Sequence, residues 1–122
     1  MFGMGISELS LLLLTALAFA LTVAWMATHG VGLALYLRRS REQDGQASKL
    51  AVGNWIASFA GGFTGPLVIP TSLVTTIVAA VALARARSAP HPSLDRTVSI
   101  ITLVAGGLIL LMAALIGVWV VL

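Results

Sequence analysis

The segment GGFTGPLVIP, residues 61–70, interrupts the longest uncharged stretch of this 122-residue chain. That stretch runs from Leu50 to Ala84, and as one continuous helix its 35 residues would be about 52 Å long. The hydrocarbon core of a bilayer is only about 30 Å thick. Glycine disfavours a helix, and proline lacks a backbone donor and clashes with the preceding turn. The sequence therefore predicts that the chain bends between Gly61 and Pro70.

Two further uncharged stretches flank this one, at residues 9–37 and 97–122. Each exceeds the ~20 residues that a helix needs to cross a bilayer. Charged residues make up 9% of the chain and its mean hydropathy is +1.05, whereas soluble domains carry about 25% charged residues. The composition predicts an all-α integral membrane protein, with residues 1–122 as a single membrane domain. A net charge of only +3 gives no reason to expect nucleic acid as a partner.

The seven basic residues cluster in or beside two predicted loops, residues 38–49 and 88–96. They are Arg38, Arg39, Arg41, Lys49, Arg85, Arg87 and Arg96. Basic residues accumulate on the cytoplasmic side of a membrane, and a hairpin in the middle stretch would place all seven on that side, facing anionic lipid headgroups.

This count favours four transmembrane helices in the cell (inner) membrane, with both termini outside and both loops in the cytoplasm. The helices are expected at approximately residues 6–36, 47–62, 70–87 and 97–121. The second helix is short for a full crossing. The alternatives are therefore three helices, or two full spans plus a re-entrant helical hairpin formed by residues 47–87.

The three uncharged stretches lack most of the acidic and basic side chains that acid–base catalysis requires. Residues 9–37, 50–84 and 97–122 contain no Asp, Glu, Lys or Arg, and the chain has no cysteine. Titratable groups in a span cost at least ~2.5–3.5 kcal/mol on insertion scales, so those present usually serve a function. We therefore expect neither an enzyme nor a proton-coupled transporter, and we predict no catalytic residue, metal site or resident cofactor.

His29 is the histidine that lies within a predicted span. One interpretation is axial ligation of a haem or a chlorophyll-type pigment, with Gly30 and Gly32 allowing a flat ring to approach the backbone. The alternative is an imidazole that forms a hydrogen bond with another helix or with water. A single intramembrane histidine cannot provide two axial ligands from one chain.

Small residues recur every four positions in three of the predicted helices. Such spacing lets helix backbones approach closely in lipid, where dispersion and interhelical hydrogen bonds hold helices together. The predicted helix-packing residues are Ala16, Ala20, Ala24, Gly32, Gly53, Ala57, Gly61, Gly65, Ala113 and Gly117.

These observations favour a small accessory, non-catalytic subunit of a larger inner-membrane complex of respiratory, photosynthetic or export type, packing against partner helices and bound lipid. An alternative is a homo-oligomeric channel or transporter for a neutral or weakly charged solute, because a broken helix exposes backbone groups near mid-membrane. Its path would be lined by Asn54, Thr64, Thr71, Ser72, Thr75 and Thr76. Haem or pigment binding through His29 is a third hypothesis.

Overall fold

The structure, a computed structural model, describes residues 6–121. Its elements are α1 (Ile6–Gln43), α2 (Lys49–Gly61), a 3-10 turn at Gly65–Leu67, α3 (Val68–Ala84), a second 3-10 turn at Ala86–Ser88 and α4 (Pro92–Val121). No strand occurs between residues 6 and 121. The predicted all-α fold is therefore confirmed.

Three helical segments are long and apolar enough to cross a membrane by length and composition. They are Glu8–Gln43 in α1, Gly65–Ala84, which contains α3, and Pro92–Val121, which is α4. Helix α2 has only 13 residues and extends about 20 Å. The chain is thus compatible with a transmembrane helical protein, while four crossings remain a prediction.

The predicted bend in the middle stretch is confirmed. Helix α2 ends at Gly61, and Gly65 adopts φ +66°, a left-handed conformation that glycine takes without steric cost. Helix α3 then begins at Val68, two residues earlier than predicted, because Pro70 lies within its first turn, where the missing N–H is tolerated. We call α2, this turn and α3 the hairpin, and residues 62–67 its tip.

Helix α1 is longer than predicted, because it continues through residues 38–43, which were expected to be a loop. Arginine, glutamate and glutamine are good helix formers, and Arg38 pairs with Glu42 one turn later at 3.4 Å. The helix ends where Asp44 takes φ 48° and the Gly45 N–H donates to Ser40 O at 3.1 Å. The basic residues therefore mark a change of polarity and not the end of the helix.

Helix α4 also begins earlier than predicted, at Pro92 instead of residue 97. Proline suits the first helical position, and Asp95 in the first turn interacts favourably with the N-terminal end of the helix dipole. The carbonyl of His91 accepts hydrogen bonds from the N–H groups of Leu94 and Asp95, at 3.1 and 3.2 Å. Conversely, α3 ends at Ala84 and not at residue 87, since Arg85 leads into the second 3-10 turn.

Helix α4 is the centre of the bundle and packs against the other three helices. It runs antiparallel to α1, and Gly32 lies so close to Ile101 that a side chain at position 32 would overlap it. Trp25 packs with Ile109 in one apolar cluster, and Tyr36 packs with Val98 in another. These contacts follow a single antiparallel register along α1 and α4.

The hairpin covers only part of this pair. Its tip lies level with Trp25 and Ile109, since Val68 packs against the apolar cluster that contains both residues and Gly62 lies against the Trp25 indole. Residues 8–24 of α1 and 110–121 of α4 extend beyond the tip, and no residue in these two segments is fully buried. The bundle therefore has four helices at one end and two at the other.

Candidate functional site

Aromatic side chains from α1, α2 and the tip meet in one group, which we call the aromatic cluster. Its members are Trp25, His29, Tyr36, Trp55, Phe59 and Phe63. The His29 ring stands edge to face with the rings of Trp25 and Phe59, at centroid distances of 4.6 and 5.1 Å. Edge-to-face contacts suit the quadrupoles of aromatic rings.

One hydrogen bond inside the cluster fixes the tautomer of His29. The indole N–H of Trp55 donates to His29 Nδ1 at 2.9 Å. An indole nitrogen can only donate, so Nδ1 must be the unprotonated nitrogen and the neutral imidazole carries its proton on Nε2. The histidine is 6% exposed, and Nε2 has no hydrogen-bond partner among the described residues. His29 thus has one satisfied nitrogen and one buried, unpaired N–H.

A groove of about 380 Å³ lies beside this imidazole, between α1 and α2. We call it the His29 groove, and its lining residues are Met26, His29, Gly30, Leu33, Trp55, Ile56 and Phe59. A side chain at Gly30 would meet nothing within 4 Å, so this glycine faces open space. The walls are almost entirely apolar, as is typical of pockets for hydrophobic ligands.

A second cavity of about 270 Å³ lies at the tip of the hairpin. Its walls come from α1, α4 and the tip, and include Trp25, Phe63 and Ile109. The indole nitrogen of Trp25 is buried and has no hydrogen-bond partner in the described part of the chain. The tip is therefore not packed tightly against the two long helices.

The interpretation of His29 as an axial ligand gains no second ligand from the fold. Its Nδ1 is occupied by Trp55, and Nε2 is covered by neighbouring side chains. Gly30 opens onto the groove, but Gly32 is buried against Ile101 on α4. Only one of the two glycines therefore leaves space beside the imidazole, and pigment or haem ligation remains a prediction.

The six polar residues proposed to line a solute path lie at helix contacts or at the tip. Asn54 donates to the Thr75 carbonyl at 2.8 Å and so joins α2 to α3. The hydroxyl of Thr75 donates to Thr71 O at 2.9 Å, and that of Thr64 donates to Gly61 O at 2.6 Å. Ser72 and Thr76 lie in the same region of α3, buried and half-buried respectively. None of the six lines either of the two cavities described above.

The ten predicted helix-packing residues differ in their surroundings. Gly32 and Gly61 are buried, against Ile101 and Thr71 respectively. Ala24 and Ala113 are half-buried, and the exposed members are Ala16, Ala20, Gly53, Ala57, Gly65 and Gly117. Most of the small residues with this spacing therefore face outward in the single chain.

Two close contacts involve glycines that the spacing rule missed. Gly62 accommodates the Trp25 indole, and Gly106 accommodates Thr76 of α3. In each case a side chain at the glycine would overlap its neighbour. Each of these glycines is adjacent to another glycine, Gly61 or Gly107. The sequence does not state which residue of such a pair faces the neighbouring helix.

All seven basic residues lie at the end of the bundle where α1 finishes and where α2 and α4 begin, which we call the basic end. The guanidinium of Arg39 donates to Thr97 Oγ1 at 2.8 Å, and Gln43 donates to Ser93 Oγ. These bonds join the last turns of α1 to the first turns of α4. The hairpin arrangement predicted from the charge count thus brings the two basic segments to one end of the molecule.

Asp95 is the functional group that sequence reasoning missed at this end. It falls within the predicted loop 88–96, yet it is 4% exposed and its carboxylate accepts from the Ser48 N–H at 2.8 Å and from Ser48 Oγ at 2.6 Å. Nearby, Ala47 N donates to the Tyr36 hydroxyl at 3.1 Å. A serine preceding a helix and an aspartate in the first turn of another were the available signals.

Comparison of the chain with protein-family models, with characterised proteins and with solved structures gives no match.

Proposed function

We propose that this chain is a small non-catalytic subunit of a membrane protein complex, in which α1 and α4 cross the bilayer and the hairpin enters from the basic end and turns back inside. Arg38 lies thirteen positions after Trp25, and Ile109 lies thirteen positions after Arg96. At 1.5 Å per residue the tip lies about 20 Å from the basic residues on both helices. The hydrocarbon core is about 30 Å thick, which supports a re-entrant hairpin.

The exposure of the tip is the observation that carries the proposal. Thr64, Gly65 and Pro66 are exposed, and Phe63 and Leu67 are 67% and 61% exposed. Irregular backbone at membrane depth is tolerated only where protein covers it or where it lines a water-filled cavity, since lipid offers no hydrogen bonds. The long helices of this chain leave the tip open, and in this proposal a partner helix covers it.

Two further features support a role in assembly. Beyond the tip, the outer segments of α1 and α4 present an apolar surface to which no other part of the described chain packs. Most of the small residues expected at helix contacts, among them Ala16, Ala20, Gly53 and Ala57, face outward. Small residues on an outer face allow a partner helix to approach closely.

The basic end sets the orientation in this proposal. Basic residues next to membrane-spanning helices remain on the cytoplasmic side and attract anionic headgroups. With α1 and α4 as the two full spans, both termini lie on the opposite side of a cell (inner) membrane. Bound anionic lipid and neighbouring membrane subunits are the partners that follow from this placement.

Photocrosslinking in native membranes tests the proposal. A photoreactive amino acid replaces Phe63 or Leu67 at the tip, and a matched variant carries it at Ile77, which is 56% exposed on the outer face of α3. We expect the tip variants to give a discrete adduct with a second protein that also copurifies stoichiometrically in mild detergent. The Ile77 variant should give lipid adducts instead.

Two outcomes contradict the proposal. The first is a tip adduct whose mass is twice that of the chain, with no other protein recovered, because it would identify a lone homo-oligomer. The second is a tip that crosslinks to lipid alone, as the Ile77 position is expected to do.

A further inference from the structure

The buried N–H of His29 is one of the polar groups in this bundle that the proposed assembly role leaves unused. Its position in the aromatic cluster is fixed on one side by the hydrogen bond from Trp55 to Nδ1. On the other side Nε2 carries a proton and has no acceptor among the described residues. A buried donor without a partner costs about 1–3 kcal/mol, so its retention calls for a physical explanation.

The His29 groove offers an explanation, because the imidazole that carries this donor is part of its lining, although neighbouring side chains cover Nε2 itself. Its volume of about 380 Å³ lies within the range of small-molecule sites, roughly 300–1,000 Å³. Trp55 and Phe59 provide flat aromatic walls, and Gly30 leaves the floor open. Met26 and Phe59 are 58% and 44% exposed at the rim, so both side chains have room to change rotamer.

The depth of His29 restricts the kind of molecule that can supply an acceptor. It lies nine positions before Arg38, which places it about 14 Å inside the basic end and close to the middle of a hydrocarbon core about 30 Å thick. Phospholipid ester carbonyls lie at the interface and do not reach this level. A neutral, lipid-soluble ring that carries its own carbonyl oxygen does.

We propose that the His29 groove binds the ring of a membrane-soluble quinone, with a ring carbonyl accepting a hydrogen bond from the Nε2–H of His29. The flat ring lies against Trp55 and Phe59, and its apolar tail leaves the groove between Met26 and Ile56 toward the bilayer. Phe59 swings aside from its edge-to-face contact as the carbonyl approaches. The inference concerns binding only, and it goes beyond the assembly role because it does not depend on a partner subunit.

Tryptophan fluorescence of the purified full-length protein provides the test, with a decyl-substituted benzoquinone as the probe. Trp25 and Trp55 lie in the aromatic cluster, and a Trp119→Phe background removes the remaining indole. We expect saturable quenching as the mole fraction of quinone in the detergent rises. Decylbenzene, which has the same tail and no carbonyl, should not displace the quinone at equal concentration.

A pair of glycine variants separates groove binding from general effects on the fold. Gly30→Leu fills the groove, and Gly117→Leu adds the same side chain at an equally open position on α4. We expect the first to weaken quinone binding by at least about tenfold and the second to leave it unchanged, with both variants keeping the helical circular dichroism of the parent. His29→Phe retains a flat ring without the N–H and should also weaken binding by about tenfold.

The proposal is overturned if quenching is linear and equal in the parent and Gly30→Leu proteins, which is the behaviour of quinone that only partitions into detergent. It is also overturned if decylbenzene competes as well as the quinone does, because the groove would then recognise a chain and not a carbonyl. If His29→Phe fails to fold, the Gly30→Leu and decylbenzene measurements still decide the question.

Discussion

The carboxylate of Asp95 holds Ser48 by two hydrogen bonds, one to its backbone N–H at 2.8 Å and one to its hydroxyl at 2.6 Å. Ser48 is also the N-cap of α2, where its side chain accepts from Ala51 N. One carboxylate in the first turn of α4 therefore sets the start of α2, although 47 positions separate the two residues in sequence.

Removing the Asp95 carboxylate is expected to destabilise the bundle. Asp95→Ala leaves both Ser48 donors without their acceptor in a half-buried site, at a cost of about 1–3 kcal/mol. Asp95→Asn keeps one carbonyl oxygen and should lie between the parent and the alanine variant. Thermal unfolding in detergent, followed by circular dichroism at the helical band, measures the order. Glu42→Gln, an exposed carboxylate on α1, serves as the control and should change the melting temperature little.

The hydrogen bond between Trp55 and His29 should show as an interaction energy between two variants. Trp55→Phe removes the donor, and His29→Phe removes the acceptor. Because the residues are in contact, the double variant should be less destabilised than the sum of the single variants, by about 0.5–1.5 kcal/mol. Additive losses would mean that the 2.9 Å contact contributes no net stability.

Two glycines of α2 should respond in opposite ways to alanine. A side chain at Gly61 overlaps Thr71 and pushes α3 away, whereas one at Gly53 meets nothing within 4 Å. We expect Gly61→Ala to lower the melting temperature. Gly53→Ala should leave it unchanged or raise it, because alanine stabilises a helix relative to glycine by up to about 1 kcal/mol.

A second substitution checks the cause of the Gly61 effect. Thr71→Ala removes the methyl and hydroxyl groups that a side chain at position 61 would meet, so the pair Gly61→Ala with Thr71→Ala should recover much of the lost stability. If the pair is no more stable than Gly61→Ala alone, the two helices do not approach each other at this point as described.

Cysteine labelling in sealed cells tests the re-entrant hairpin directly, since the chain has no native cysteine. Gln46→Cys and Ser88→Cys, both exposed at the basic end, should react with a membrane-impermeant maleimide from the cytoplasmic side only. Thr64→Cys at the tip should resist labelling from both sides until the membrane is dissolved. Labelling of Thr64→Cys from the outer side would show a hairpin that crosses completely.

The sequence predicted the bend well because its signal is local. Glycine and proline act on their own backbone, so the run from Gly61 to Pro70 was enough to place the turn within a few residues. The shared position of the basic segments followed from the bend. The predicted limits of α1 and α4 are wrong because they end each helix at charged residues, whereas Arg38, Glu42 and Asp95 are compatible with a helix.

The candidate site could not be predicted in the same way. Trp25, His29 and Trp55 each stand alone in the sequence, and their meeting depends on the rotation of α1 and α2 about their axes. No pattern within one helix encodes that rotation. The burial of Asp95 could not be predicted for a related reason, because it depends on a tertiary contact with Ser48, which lies on a distant segment of the chain.

The central position of α4 has a consequence for biosynthesis. This helix leaves the ribosome after α1, α2 and α3, yet it contacts all three of them and supplies the carboxylate that fixes the start of α2. Until residues 92–121 have been synthesised, the nascent hairpin can close only against α1, through the aromatic cluster. Assembly of the bundle must be a late, post-insertion event, and a chain truncated before α4 should be a substrate for quality-control proteases.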